Sequence, residues 1–512
     1  MLKKLLFIFQ TTSMLKYYIK TFGCQMNYSD SERIAGFLSS QKFKETKNIN
    51  DANLVIFNTC GVRQMAEDRV YGQIHNLRDR NQESGIENQK SRIKIILTGC
   101  LANRPDVQRR LKNKVDLFFP INGFKKFEKF VIENCLPAQG WSAFGGKIVN
   151  CQPKAGPPLA EKLKIPAYPE LTTRKNNTSY FSITPKYSDK FQAGVPIMTG
   201  CNNFCAYCVV PYARGREVSR MADEIISEIK KLIKNRTKHI ILLGQNVNSY
   251  KSPSLPSPPF QGGDVRRTEG VKNDSINFPQ LLKKINAIPG KFWISFVSNH
   301  PKDVTDEMIE TVAKCKKVCE NFHLPIQAGC DEVLKNMNRK YTQKEYLTKV
   351  RKIKSAFKKH KPAVPFSITS DIIVGFPGET KKQFEDSAEV MRKAKFDMVF
   401  FGKFSPRPQT AAWKMKDNVS KMEKERRANY LNEILKKTCF ENNKKYVGKT
   451  LEVLIENKKN GNYFGKTRTM KNVKIVPNFH SDKTSESKNL IGKIIKAKIT
   501  KASIWNLEAI IK

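Results

Sequence analysis

No run of about twenty apolar residues occurs in this chain of 512, so nothing in it reads as a membrane-spanning helix. The short apolar run Leu5–Phe9 stops at Gln10, below the roughly seven residues a secretory leader needs and without a small-residue cleavage site. Met14 stands just before the first expected strand and is a second candidate start. Acidic residues are few: 47 Asp and Glu face 92 Lys and Arg, a formal charge of +45. That balance favours a polyanionic partner, through phosphate contacts and counterion release, although a lysine-rich background produces the same excess without one. Histidine is scarce and scattered, with six in all. Paired CxxC units are missing too, which argues against a structural zinc finger.

What is present is a tight loop of thiols. Cys201, Cys205 and Cys208 stand in the run CNNFCAYC, a CxxxCxxC triad. Electron-transfer clusters usually close every iron with four cysteines. Three thiolates at this spacing hold three irons of a cubane and leave the fourth open to a substrate or cofactor. The chain has twelve cysteines and 39% apolar residues. That combination suits a reducing, cytoplasmic setting with thiolate metal ligands and real hydrophobic cores. The length suggests about three domains.

Three buried-type strands end at cysteines. Tyr17–Ile19 leads to Cys24, Leu54–Phe57 to Cys60, and Ile93–Leu97 to Cys100, with helical stretches over Ser29–Ser39 and Val62–Asp79 between them. Such β/α alternation predicts a mostly parallel sheet, with its site beyond the carboxyl ends of the strands. The three cysteines then converge; the alternative is three unrelated buried thiols. Residues 136–182 lose periodicity and read as a linker, and the proline-rich stretch Lys251–Asp274 reads as a disordered surface insertion. From Val195 the rhythm resumes through strands at Val195–Met198, His239–Leu243, Phe292–Val297, Asn321–Pro325, Ser367–Val374 and Met398–Phe401, which predicts a partial barrel of parallel strands. Met422–Asn443 reads as a charged helix. Short strands at Thr450–Ile455, Lys466–Met470, Asn472–Ile475, Ile494–Thr500 and Asn506–Ile511 then predict a small β-barrel of a kind used to bind RNA.

The triad is followed by VVPYARGREVSR, and later come LLGQNVN, HLPIQAG and SDIIVGFPGET. With these flanks the triad resembles that of the radical S-adenosylmethionine enzymes. TFGCQMNYSDSE, NTCGVRQMAE and TGCLANR resemble the methylthiotransferase branch, and the C-terminal strands resemble its TRAM domain. The resemblance implies an α/β chain of three domains. An N-terminal methylthiotransferase domain spans 14–138, a linker 139–186, a radical barrel 187–440 interrupted at 251–274, and a TRAM domain 441–512. It implies two 4Fe–4S clusters, one on Cys201, Cys205 and Cys208 and a second on Cys24, Cys60 and Cys100. The open iron of the first would bind S-adenosylmethionine, and that of the second would carry sulfur. The implied activity is methylthiolation of carbon 2 of N6-dimethylallyladenosine, 3′ of the tRNA anticodon, with tRNA, an electron-donor protein and a sulfur supply system as partners. GCQMN and CVVPYARGREVSR favour this branch over its sisters, which modify threonylcarbamoyladenosine in tRNA or an aspartate of a ribosomal protein. A non-catalytic alternative is an RNA-binding iron–sulfur redox sensor.

Other residues carry two readings each. Gln245, Asn248, Ser298, Gln327 and Asp371 at strand ends, Gly375 in its glycine turn, and Arg216 beside the triad are candidate cofactor contacts; Gln245 and Asn248 also read as helix caps, and Gly375 as a tight turn. Tyr463, Phe464, Lys466, Arg468 and Lys471 mix aromatics with cations as RNA contacts do, or form a solvated basic face. Cys315 and Cys319, four apart on an expected helix, read as packing rather than a metal pair. Cys330 and Gln409 stand where the family usually has serine and glycine. Cys135, Cys151 and Cys439 have no assigned role, and His300 and His323 read as supporting residues near strand ends.

Overall fold

The computed structural model describes residues 14–61, 64–83, 93–135, 180–253, 275–476 and 489–512. Residues 139–179 of the expected linker, 254–274 of the expected insertion, Cys151 and the run Leu5–Phe9 lie outside the described residues. The described residues fall into two compact units, one within Met1–Gly23, Arg33–Pro185 and Ala213–Arg216, the other within Cys24–Glu32, Lys186–Tyr212 and Glu217–Lys512.

The first unit is built on five parallel strands, β1 (Lys16–Phe22), β2 (Lys44–Glu45), β3 (Leu54–Thr59), β4 (Lys94–Gly99) and β5 (Leu117–Phe119), in the order β2-β1-β3-β4-β5. Leu54, Val55, Ile56 and Phe57 of the central strand are all fully buried, which explains their unbroken apolar run. Val55, Phe57, Ile95 and Leu97 pack on Val70, Ile74 and Leu77 of the helix Gln64–Glu83. An aromatic cluster of Phe37, Phe119, Phe124 and Phe127 forms elsewhere in the same unit, with Phe119 and Phe127 stacked at 4.9 Å. In this order the winding reverses between β1 and β3, the place where such sheets bind ligands at their carboxyl ends. Phe22 pairs with Thr59, and Thr59 with Gly99, so β1, β3 and β4 end level.

Arg104, four residues past Cys100, forms a buried bidentate pair with Glu67, at 2.8 and 3.1 Å. This joins the loop after β4 to the helix after β3, and gives the Glu of NTCGVRQMAE and the Arg of TGCLANR a shared structural reason. Arg104 also pairs with Asp106, so losing the Glu67 charge weakens the network without leaving the guanidinium alone. Glu67→Gln is therefore expected to lower stability by about 1–2 kcal/mol, measured by denaturant unfolding; a change within experimental scatter would contradict this.

In the second unit, a parallel sheet ordered β10-β9-β6 unites β6 (Gln192–Pro196), β9 (His239–Leu243) and β10 (Trp293–Phe296). Another, ordered β11-β12-β13, unites β11 (Asn321–His323), β12 (Ser367–Val374) and β13 (Met398–Lys403). Ile294 of β10 bridges in parallel to Val318, just ahead of β11, so the six strands run as one open barrel. Two short strands, β7 (Met198–Thr199) and β8 (Val218–Ser219), pair antiparallel and clamp the base of the thiol loop. Helices cover the outside. Their starts are written in the sequence: Asn277, Thr342 and Thr380 each form a reciprocal capping box with a Gln or Glu three residues on.

The helix expected to carry Cys315 and Cys319 stops at Lys314, with Cys315 as its extended cap. The chain turns there to place Val318 beside β10, so the two thiols do not share a helix face. Both are buried, and burial pushes the Cys319 thiol up to about 12, as a packing role requires. Gln409 adopts a left-handed conformation with φ of 71°, the geometry a glycine takes without strain. Gln409→Gly is expected to stabilise the chain by about 1 kcal/mol, read from the unfolding midpoint; a destabilisation would contradict this.

The chain ends in a closed barrel of β14 (Thr450–Lys459), β15 (Asn462–Thr467), β16 (Asn472–Ile475), β17 (Ile494–Ala502) and β18 (Asn506–Ile511), ordered β14-β15-β16-β18-β17. The strand expected over Lys466–Met470 lies earlier, and residues 468–471 form a turn with Met470 at φ of 60°. That turn packs under the amino-terminal ends of the open barrel. Arg468 pairs with Glu320 at 2.8 Å, donates to the Val318 carbonyl and lies 5.9 Å from the Trp293 ring. Lys471 pairs with Asp397 at 3.0 Å.

Candidate active site

The thiol loop leaves β7 through Gly200, whose φ of 77° gives the reversal that a side chain would strain. The Cys208 N–H donates to the Cys205 carbonyl at 2.9 Å, closing the CxxC part into a turn. The middle of the loop is pinned from two sides: the Ala206 N–H donates to Met337 O, and the Ala412 N–H donates to Ala206 O. Asn338 Nδ2 donates to the carbonyls of Asn203 and Phe204 at 3.3 and 2.9 Å. Two sulfurs receive side-chain donors as well. Asn203 Nδ2 lies 3.6 Å from Cys201 Sγ, and Arg339 Nη1 lies 3.3 Å from Cys205 Sγ. Arg339 is buried, with Nε donating to the Tyr341 hydroxyl at 2.8 Å and Nη2 to the Pro325 carbonyl at 3.1 Å.

A buried guanidinium needs an anion, and Cys205 would supply one when it ligates iron. Three thiols in one short loop, two of them facing side-chain N–H donors, are a donor set that suits a cubane cluster. The triad and its donors therefore fit an open cluster.

A cavity of about 710 Å³ opens beside the loop, lined by Asn202, Asn203, Asn246, Asn248, His300 and Lys302 among others. Gln245 Oε1, Asn246 Oδ1, Asn299 Oδ1 and His300 Nε2 are buried there or next to it without a hydrogen-bond partner. Burial, aided by Arg339 and Lys302, holds His300 down to about 2, so the ring is neutral. Its Nδ1 accepts the Lys302 N–H at 3.2 Å, which leaves Nε2 as a free donor. Unsatisfied buried groups of both kinds suit a polar ligand such as an amino acid joined to a nucleoside.

The candidate cofactor residues are placed unevenly. Asn248 lines the cavity but exchanges hydrogen bonds with the His300 backbone at 2.9 and 3.0 Å, tying the ends of β9 and β10 together. Ser298 and Gln327, at φ of 68° and 74°, hold the strained turns after β10 and β11. Gly375 also has positive φ, and a Cβ there would lie 2.4 Å from Lys424. Asp371 lies on β12, 3.5 Å from His323 Nε2. Arg216 is exposed. Sequence reasoning missed Asn338, Arg339 and Asn246, none of which stands at a telling spacing from the triad.

At the other cysteine set, Cys60 and Cys100 follow the ends of β3 and β4 directly, and both are buried. A Cβ on Gly61 would lie 3.1 Å from Cys100 Cβ, so the glycine lets the two loops touch. The Thr59 and Thr98 hydroxyls beside them are buried without partners. Cys24 is exposed, past the end of β1, and its thiol lies 3.3 Å from Asn27 Oδ1. Cys60 and Cys100, side by side past two neighbouring strands with orphan hydroxyls alongside, suit thiolate ligands of a cluster.

Of the five candidate RNA contacts, Arg468 and Lys471 are spent in the ion pairs under the open barrel, and Tyr463 packs on the core of the closed barrel. Phe464 and Lys466 are half-buried on β15, with Lys466 3.5 Å from Glu456. Lys496 and Lys498 of β17 are exposed at alternate positions, a basic row that sequence reasoning did not single out.

Three family profiles match successive stretches of the chain: Uncharacterized protein family UPF0004 over residues 16–120, Radical SAM superfamily over 195–391, and TRAM domain over 444–512. The tRNA-2-methylthio-N(6)-dimethylallyladenosine synthase of Acetivibrio thermocellus is 37% identical over 498 residues, covering 96% of this chain and 90% of that protein. Its namesake from Caldicellulosiruptor saccharolyticus is 38% identical over 461 residues, 90% of this chain and 86% of that protein. Among solved structures, the radical S-adenosylmethionine methyltransferase TsrM of Kitasatospora setae aligns at 12% identity with a TM-score of 0.47, over 78% of this chain and 75% of that one, a likeness too slight to argue from. With identity sustained along nearly the whole of its relatives, this chain belongs to the radical S-adenosylmethionine methylthiotransferases, the family of the tRNA-2-methylthio-N(6)-dimethylallyladenosine synthases.

Proposed function

We propose that this enzyme replaces the hydrogen at carbon 2 of N6-dimethylallyladenosine in tRNA, 3′ of the anticodon, with a methylthio group. The observation that carries the reading is the presence of two separate three-cysteine sets, one in a single short loop after β7 and one after β1, β3 and β4. When bound, the cluster and S-adenosylmethionine supply abstraction of a hydrogen that no acid or base of this chain is able to remove. Cys201, Cys205 and Cys208 hold the first cluster, and Cys24, Cys60 and Cys100 the second, the source of sulfur. Asn246, Asn299 and His300 orient the polar parts of S-adenosylmethionine. The barrel wall excludes water from the reacting atoms. Phe464 and Lys466, with Lys496 and Lys498, offer stacking and phosphate contacts to RNA, and an electron-donor protein and a sulfur supply complete the cycle. Anaerobically reconstituted enzyme, reduced and given S-adenosylmethionine and an anticodon stem-loop bearing N6-dimethylallyladenosine, is expected to yield the methylthio nucleoside. S-adenosylmethionine cleavage without product on any adenosine would overturn the reading.

Arg339 has a spectroscopic consequence. A positive charge hydrogen-bonded to a ligating sulfur favours the reduced cluster. Arg339→Met is expected to move the midpoint potential of the first cluster to more negative values in an electron-paramagnetic-resonance titration. A shift to more positive values would contradict the contact.

A further inference from the structure

The open barrel presents an aromatic side chain to its interior. Along β12, Ile368, Ser370, Ile372 and Val374 are buried on one face, and Ser370 Oγ meets the Tyr346 hydroxyl of the helix Gln343–His360 at 3.3 Å. That face looks outward to the helices. Thr369, Asp371 and Ile373 therefore line the concave face, in register with Met398, Phe400 and Gly402 of β13 and, through Thr369, with His323 of β11. Phe400 is 58% exposed there, its ring 6.5 Å from that of His323, and Asp371 stands directly across from it. The same face reaches the thiol loop: Pro325, two residues beyond His323, accepts from Arg339, which also holds Cys205.

An exposed phenyl ring on a concave wall, beside a few polar groups, suits a ligand contact, since such sites are lined by aromatics with a few polar groups. We propose that Phe400 determines specificity for the N6 substituent of the target adenine. Its ring receives the apolar dimethylallyl group, and the Asp371 carboxylate beside it repels a substituent bearing its own carboxylate. This rests on the reading of the chain as an adenosine methylthiotransferase acting on tRNA. A five-carbon apolar branch gains by leaving water for an aromatic wall. A negatively charged threonylcarbamoyl group in the same place meets the like charge of Asp371.

The test compares kcat/KM of the reconstituted full chain on three anticodon stem-loops, bearing unmodified adenosine, N6-dimethylallyladenosine or threonylcarbamoyladenosine. Phe400→Ala is expected to reduce the preference for dimethylallyl over unmodified adenosine by about tenfold, mostly through KM. Phe400→Tyr, which keeps the ring, should retain that preference. Asp371→Asn should raise the rate on threonylcarbamoyladenosine relative to dimethylallyladenosine by about tenfold. Equal losses on all three substrates for Phe400→Ala, or unchanged ratios for both Phe400→Ala and Asp371→Asn, would overturn the inference. Wild-type enzyme inactive on every stem-loop would instead overturn the proposed function.

Discussion

Cys205→Ala is expected to lower S-adenosylmethionine cleavage to 5′-deoxyadenosine by ~10³-fold or more, with methylthio product lost in step. The thiol is the middle ligand of three, and the two that remain hold too few irons to keep an open cubane in place. The change also strands Arg339. That guanidinium is buried, and removing Cys205 Sγ, 3.3 Å away, takes away the sulfur to which it donates. Cys330→Ser serves as the control: Cys330 caps the short helix Asp331–Asn336 without a side-chain hydrogen bond, and serine there should leave cleavage unchanged. Undiminished 5′-deoxyadenosine from Cys205→Ala would contradict the assignment of the triad.

Replacing Cys24, Cys60 and Cys100 together by alanine is expected to separate the two halves of the reaction. Cleavage of S-adenosylmethionine should continue, because the triad and its donors lie in another sheet and loop. Methylthio product should vanish, because no sulfur source remains. Iron in the reconstituted enzyme should fall from about eight atoms to about four per chain. Alanine keeps each Cβ and leaves Gly61 in its close contact with Cys100. Product formed at the normal rate, or iron unchanged, would rule out a second cluster on these residues.

The parts of this molecule legible in the sequence are those written in short-range pattern. Leu54–Phe57 and its neighbours announce buried parallel strands because both faces of the sheet are covered, and the cysteines stand directly after the strand ends. Capping boxes at Thr342 and Thr380 mark helix starts for the same local reason. What depends on distant partners was not legible. Arg339 reaches Cys205 across 134 positions, and only the packed barrel brings them together. Arg468 and Lys471 have the composition of an RNA surface, yet Glu320 and Asp397, contributed from far along the chain, draw both inward. Aromatics beside cations serve an internal interface as well as they serve RNA. Phe400 lies in a strand that the pattern does mark, yet its 58% exposure follows from the barrel being open, which no local pattern shows.

The most direct test of the central claim is mass spectrometry of tRNA nucleosides from cells lacking adenosine methylthiolation, with and without this chain expressed. The account predicts that 2-methylthio-N6-dimethylallyladenosine appears only when the chain is present and disappears again with Cys205→Ala. Its absence from cells that make N6-dimethylallyladenosine, with the chain present and both clusters loaded, would contradict the account.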